Sequence, residues 1–430
     1  MSMIQETREE IEGIRVEKNV SPRQRFVPLW RNRDFLLLVS GQAVSSTGSQ
    51  ISLVAFPLLM LALTNSPALA GLMTALRGLP YALLCLPVGA LVDRWDRKRV
   101  MILSDAGRAI ALGSIPVAMV LGHLTYVQLA LVSLVEGSLF VFFNLAETAC
   151  IPHVVAKEQL TAATGQNEVL YSLSAMVGPA LGPILYGLGS AMPFLADAIS
   201  YGVSMFSLYF IRSQFQEVRE VAVGNLWVEI GEGLTWLWRN QVIRFLAILT
   251  LGLTVPGVGY VLVVIVLAQQ MHASNAVIGL IFACGGIGSV VGSLVASPLQ
   301  RRFGFGRVII VTTWIWVLSW LFYALVPNPL MLGLANAVSF IVVPIYMVVQ
   351  YSYRLALIPD HLQGRVNSVF RLIAFGGQPL GIALTGILLQ AYGPAVTVVL
   401  MFIPQAILAV AVTFNRHIRH ARPVSEIEII

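Results

Sequence analysis

Long apolar runs recur along the chain, separated by short polar stretches. A helix needs about 20 mostly apolar residues to cross the hydrocarbon core of a bilayer. Twelve runs of that kind are visible, near 35–62, 67–92, 100–121, 126–149, 168–189, 192–211, 245–268, 276–299, 308–326, 329–353, 367–390 and 395–414. The intervening segments alternate in character. TNSPA, GHLTY, GLGSAMP, QQMHASN, PNP and AYGPA are short and hold no Lys or Arg. On the other side lie DRWDRKR, the stretch around Lys157, the 212–244 connection, QRRFGFGR, the stretch around Arg365 and both termini. Of 27 basic residues, 26 fall on this side or within a turn or two of it, the exception being Arg77 inside the second run. Basic loops stay cytoplasmic, so both termini are expected in the cytoplasm. The pattern predicts an all-α integral membrane protein of twelve transmembrane helices. Residues 1–34 are polar and the first apolar run starts at Phe35, so no cleavable signal is expected and the first span directs insertion.

The runs divide six and six about a polar, then amphipathic connection that ends in NLWVEIGEGLTWLWRN. GALVDRWDRKRV, ending at Val100, aligns with SPLQRRFGFGRV, ending at Val308, an offset of 208. The Ile-Pro at Pro152 matches the Ile-Pro at Pro359, an offset of 207. Further on, VGPALG around Pro179 answers GGQPLG around Pro379. A chain with such a parallel repeat is expected to form two pseudo-symmetric six-helix bundles with a solute site between them. The expected domains are a cytoplasmic tail 1–34, bundles 35–212 and 244–415, a cytoplasmic linker 213–243 with an amphipathic helix, and a tail 416–430.

Composition sharpens this picture. Charged residues make up 11% of the chain and apolar residues 57%, against roughly 25% charged in an average soluble domain. A disordered chain, a nucleic-acid arm and a soluble globule are excluded. The net charge of +6 faces an anionic cytoplasmic leaflet. Cys85, Cys150 and Cys284 form no CxxC and read as packing residues. The six histidines are dispersed over loops and the tail without metal spacing, and no Walker loop or catalytic triad is present. Neither a cofactor, a metal nor an enzymatic activity is expected.

Several motifs carry a resemblance. Gly89-Ala-Leu-Val-Asp93-Arg94-Trp-Asp96-Arg97-Lys98-Arg99 resembles the signature loop between spans two and three of the major facilitator superfamily. RGLPYALLCLPVGALVDRWDRKR, WRNRDF, LIPDHLQGRVNSV and GEGLTWLWRN resemble its bacterial efflux branch of macrolide and enterobactin exporters, and the likeness covers essentially the whole chain. It implies a monomeric carrier in the bacterial cytoplasmic membrane that exports a small amphipathic molecule by alternating access coupled to protons. In the superfamily this loop stabilises the outward-facing state. Asp93 would cap a helix junction, Arg94, Arg97, Lys98 and Arg99 would face anionic lipid and carboxylates, and Glu147 would pair with Arg97. Asp96 stands where the general motif has Gly. Gly178-Pro179-Ala-Leu-Gly182-Pro183 partly resembles the antiporter motif, whose small residues allow close helix approach. A topology-setting cation cluster and plain helix packing are the alternatives for these two motifs.

Charges inside spans are costly and mark pathways or internal pairs. Glu136 and Arg77 each lie about ten residues into their spans from the outer side, roughly 15 Å deep, so a buried ion pair is expected. Asp197 sits shallower in span six, whereas Asp105, Arg108, Glu147, Glu168, Arg354 and Arg371 are placed near the cytoplasmic ends. The span-four Arg of the proton–drug antiporters is absent, Ser133 taking its place. Glu136, Arg77 and Asp197 are therefore the proton-coupling candidates, with a permanently ionised structural pair as the alternative for the first two.

The resemblance puts spans one, four, seven and ten around the cavity. The cavity candidates are Gln42, Ser45, Ser49 and Phe56, then Ser133, Phe140 and Asn144, then Thr254 and Tyr260, then Asn336, Tyr346 and Gln350. Hydroxyls, amides and aromatics on an apolar wall suit a bulky, moderately polar organic molecule, although interhelical hydrogen bonds explain some of these residues equally well. Span eight, with Gly279, Ala283, Gly288, Gly292 and Ala296, presents a small-residue packing face. The rival functions are a lipid or lysolipid flippase of the same fold and, less well supported by the short tails, a membrane sensor.

Overall fold

The computed structural model of the chain describes residues 28–92, 94–156, 159–212, 215, 226–359, 362–419 and 421. The expected tails and linker therefore lie only partly within the described residues, and Asp93 of the signature loop lies outside them. All regular structure among the described residues is helical.

The first half comprises α1 (Arg33–Thr64), α2 (Pro67–Val92), α3 (Arg97–Val120), α4 (Tyr126–Val154), α5 (Leu160–Leu188) and α6 (Met192–Phe210). Side-chain caps start four of them: Asn32, Ser66, Asp96 and Thr125 accept from the backbone N–H three residues on, satisfying donors that the helix leaves open. Asn65, at φ 50°, ends α1. A linker helix, α7 (Leu226–Arg239), follows. It packs on the second half, with Leu237 fully buried and Glu232 ion-paired to Arg365.

The second half comprises α8 (Gln241–Gly257), α9 (Tyr260–Gln270), α10 (Asn275–Phe303), α11 (Phe305–Leu325), α12 (Pro329–Leu357), α13 (Gln363–Gly376) and α14 (Gln378–Phe414), with the short α15 (Arg416–Arg419) behind them. Contacts of the first half recur here. As α1 packs on α6, α2 on α4 and α3 on both α4 and α6, so α8 packs on α14, α10 on α12 and α11 on both α12 and α14.

Two expected spans are interrupted. Span seven breaks at 258–259 between α8 and α9, after Pro256-Gly257, and span eleven breaks at Gly377 between α13 and α14, just before Pro379. Proline lacks the N–H that would continue the ladder, and glycine loses most entropy on ordering.

Among the described residues, ten helical stretches are long and apolar enough to cross a membrane. The last, Gln363–Phe414, has 52 residues, over twice the length of one crossing, and Gly393 breaks its helical path with φ 72° and ψ 175°. Met192–Phe210 falls outside the ten because Asp197 and three serines dilute 19 residues. The count of twelve depends on these two segments.

The halves meet along α2 against α14 and α5 against α10. Glycine permits the approach: a β-carbon at Gly71 would lie 2.8 Å from Gly386 Cα, and one at Gly279 would lie 2.6 Å from Ala180 O. One hydrophobic core joins Val54–Leu61 and Leu129 of the first half to Val261–Ala268 of the second, at the ends away from the basic loops. At the basic end the first half keeps a separate core around Phe35, Met101, Phe143 and Leu208. The buried apolar core thus joins the two halves at one end and is separate at the other.

Candidate functional site

Two different environments lie in the two halves. The first is ionic. Glu136 on α4 is 1% exposed; its carboxylate pairs with Arg77 Nε of α2 and accepts from Arg77 Nη2 at 3.1 Å and Arg108 Nη2 of α3 at 2.9 Å. Tyr201 OH of α6 donates to it at 3.0 Å. Ser49 Oγ of α1 lies 2.8 Å from Tyr201 OH and accepts from Arg108 at 3.2 Å. Asp105 Oδ1 stands 3.6 Å from Arg108 Nη1. Among the described residues, the Asp197 carboxylate bonds only to hydroxyls, Ser52 through one oxygen and Ser200 through the other at 3.3 Å. Five helices therefore converge on a buried cluster of two guanidinium groups and three carboxyls.

The expected Arg77–Glu136 contact is present, but it is one side of a larger group. Arg108 is the residue that sequence reading misplaced. It lies about three turns into α3 from Arg97, is 2% exposed, and stacks on the Tyr201 ring with 3.9 Å between guanidinium carbon and centroid. Assigning it to the cytoplasmic end came from the long basic loop before it; counting rise from the helix start would have found it. Gly137 was also missed. A β-carbon there would collide with Arg77 O, so glycine is what lets α2 approach α4 and present Arg77 to Glu136. Gly137→Ala is expected to cost about 1–3 kcal/mol by overpacking, read as a lowered unfolding temperature in detergent. Gly165→Ala, where nothing lies within 4 Å of the added carbon, is the control and should not lower it.

The second environment is aromatic. A cavity of about 220 Å³ lies wholly in the second half, walled by Tyr260, Trp316, Trp320, Tyr323, Phe340 and Phe375, with Thr254, Ser319, Ser339 and Gln378 as its polar groups. Gly257, Val258, Phe375 and Gln378 belong to the two helix breaks. Non-helical backbone at membrane depth persists where it lines a cavity or finds partners, and Thr254 Oγ1 donates to Ala374 O at 2.7 Å beside the α13–α14 break. Acidic side chains are absent from the spans of this half.

The cavity candidates separate on these facts. Thr254 and Tyr260 line the aromatic cavity. Asn336 instead joins α12 to its neighbours, accepting from Tyr323 OH at 3.0 Å and donating to Ile281 O at 2.9 Å. Tyr346 is fully buried and bonds Thr250 Oγ1 at 2.9 Å, while Gln350 accepts from Arg354 at 3.4 Å. Ser49 belongs to the ionic cluster, Phe56 packs edge-on against Phe194 with its face towards Arg77, and Phe140 lies under Arg108. Ser45 is buried, its carbonyl accepting from Ser49, and Ser133 Oγ is buried without a partner. Gln42 donates to Ser46 at 3.4 Å, and Asn144 is half-buried.

In the signature loop, Asp96 caps α3 by accepting from Arg99 N. Arg97 Nη1 donates to Ala149 O at 3.0 Å and Phe215 O at 3.3 Å, and Lys98 Nζ to Ile211 O at 2.6 Å. These cations close the carbonyl ends of α4 and α6, where the helix dipole favours positive charge. Glu147 accepts from Asn167 at 3.4 Å rather than pairing with Arg97 as expected. Arg94 is exposed, and a side chain at Gly89 would meet nothing within 4 Å. Gly178 and Gly182 face α1: added β-carbons would come 3.0 Å from Thr47 O and 2.8 Å from Ile51 O. Pro179 lies between them on the helix.

The sequence profile of a transmembrane secretion effector family of the major facilitator superfamily matches residues 24–427. The chain is 27% identical over 397 residues to the multidrug efflux pump Tap of Mycolicibacterium fortuitum, covering 89% of this chain and 96% of that protein. It is 23% identical to the enterobactin exporter EntS of Salmonella typhi, covering 77% and 80%. Among solved structures, a variant of the nucleoside transporter NupG superposes with a TM-score of 0.74 at 14% identity, covering 89% of this chain and all of that one. A bacterial homologue of the iron transporter ferroportin gives 0.70 in its inward-facing state and 0.58 in its outward-facing state, at 17% identity, covering 89% and 88% of this chain and 98% of that one in both cases.

Proposed function

The chain belongs to this transmembrane secretion effector family, and on that premise we propose that it exports bulky, amphipathic small molecules such as drugs or siderophores by alternating access, driven by protons. The aromatic cavity carries the proposal. Aromatic faces with four polar groups and no acid favour organic solutes of modest polarity. The multidrug and siderophore exporters among its relatives act on molecules of that kind by name.

The ionic cluster supplies the energy coupling in this reading. With every group ionised, its two guanidinium groups and three carboxyls carry one negative charge in excess, and one proton neutralises it. Glu136 is held by both cations, whereas Asp197 is held by neutral hydroxyls. A buried carboxylate without a cation has little to offset its lost hydration, so the exchangeable proton sits on Asp197, with Glu136, Arg77 and Arg108 as the fixed frame. Ser52 of α1 links that proton to a helix that moves against the second half.

In this reading the protein lies in the bacterial cytoplasmic membrane, with both termini and the basic loops on the cytoplasmic side. One chain holds both parts of the site, so a monomer suffices. Export from loaded vesicles against a panel of macrolides, siderophores and other amphiphiles tests this directly. Retention is expected to rise when an uncoupler collapses the gradient; uncoupler-insensitive movement of every compound overturns the proposal.

A further inference from the structure

The linker helix α7 supplies no residue to the aromatic cavity, yet it grips a helix that does. A β-carbon at Gly233 of α7 would lie 2.8 Å from Arg365 O of α13, so the two backbones touch there. Leu237, one turn further on, is fully buried, and Glu232 pairs with Arg365. Both members of that pair stay partly exposed, and an exposed ion pair adds little. The close backbone approach and the buried leucine therefore carry the grip.

The two sides of the break at Gly377 are held differently. Past it, α14 is seated backbone-to-backbone on α8 and tightly against the start of α9: a β-carbon at Gly381 would collide with Val255 O, and one at Gly259 with Thr385. Before it, α13 packs on α8 and α7 with Val366, Phe370 and Ala374 buried. At its far end it takes the bond from Thr254 Oγ1 to Ala374 O at 2.7 Å. The next residue, Phe375, stands in the cavity wall, and Gln378 follows just past the break. From Arg365 to Phe375 the helix rises about 15 Å. A packed helix of that length moves as a unit, so a displacement imposed at Arg365 reaches Phe375, with the break at Gly377 to absorb it.

We infer that Gly233 and Arg365 are positioning residues for the solute: the seat of α7 on α13 fixes Phe375 in the cavity wall, and the linker thereby sets how tightly the cavity holds its solute. This rests on the reading of the aromatic cavity as the solute site. Affinity is then decided partly at the basic end of the molecule, by residues that never touch the solute.

Equilibrium binding of radiolabelled chloramphenicol, an uncharged nitrophenyl amphiphile, to the purified full chain tests the relay. Gly233→Ala should weaken binding about tenfold, because the added carbon must push Arg365 O away. Gly231→Ala makes the same change on the same helix where nothing lies within 4 Å, and should leave binding as it is. Phe375→Ala should weaken binding too, and adding Gly233→Ala to it should cost nothing more, the behaviour of two residues acting through one contact. Fully additive losses overturn the inference. A second measurement needs no solute. In a chain with Cys85, Cys150 and Cys284 replaced by Ala, a nitroxide on Phe375→Cys should gain mobility when Gly233→Ala is added and keep its spectrum when Gly231→Ala is added. Leu237→Val, which trims the buried anchor of α7, should act in the same direction and replaces Gly233→Ala should that variant fail to insert. A spectrum that neither variant changes overturns the relay. A label that responds in a chain whose wild type binds neither chloramphenicol nor any exported compound would instead count against the cavity as the solute site.

Discussion

Glu136→Gln should be the most damaging isosteric change in the molecule, lowering stability by about 3–5 kcal/mol, the cost of breaking a buried ion pair by removing one partner. The carboxylate accepts from Arg77, Arg108 and Tyr201 at once. An amide has one acceptor oxygen and turns an N–H₂ group towards guanidinium donors, so part of this network is lost and part becomes repulsive. Because α2, α3, α4 and α6 meet at this carboxylate, the loss should loosen the whole first half. Unfolding followed in detergent by loss of the monodisperse peak gives the readout. An unchanged unfolding temperature together with wild-type export would remove Glu136 as the anchor of the cluster.

Asp197→Asn should act in the opposite sense, keeping the fold and losing the coupling. Asn can still accept from Ser52 and stay bonded to Ser200, the two partners that Asp197 has, so the stability change is expected within about 1 kcal/mol. Export driven by an imposed pH gradient in proteoliposomes should nevertheless fall by about a hundredfold, toward the rate of passive exchange, while substrate binding persists. A variant that retains its full response to the gradient would take the proton away from Asp197. If Glu136→Gln were then stable and gradient-blind, Glu136 would carry the proton in its place.

The aromatic cavity was only partly legible in the sequence. Thr254 and Tyr260 stood out on a helical face, but Trp316, Trp320 and Tyr323 of α11 read as an ordinary apolar span. They reach the cavity because α8–α9 and α13–α14 break beside them, leaving room that continuous helices would have filled. The Pro256-Gly257 and Gly376-Gly377 pairs were signals of those breaks. Asn336 and Tyr346 illustrate the converse error, because a polar residue on an inner face is satisfied either by solute or by a neighbouring helix. Only the distances to Tyr323, Ile281 and Thr250 decide for the helix.

The sequence by itself determined that this chain lives in lipid, that its helices recur in two related halves, which end bears the basic loops, and to which superfamily it belongs. These follow from properties local to each segment: the apolar length needed to cross a bilayer, the charge of each loop, and motifs that read without partners. The tertiary structure alone decided that Arg108 and Tyr201 join Glu136, and that Asp197 has hydroxyls for neighbours. Burial and ion pairing depend on which helix faces which across tens or hundreds of residues. In a span where nearly every position is apolar, periodicity cannot report that facing. The scarce charges mark where to look, and helix packing determines what each of them meets.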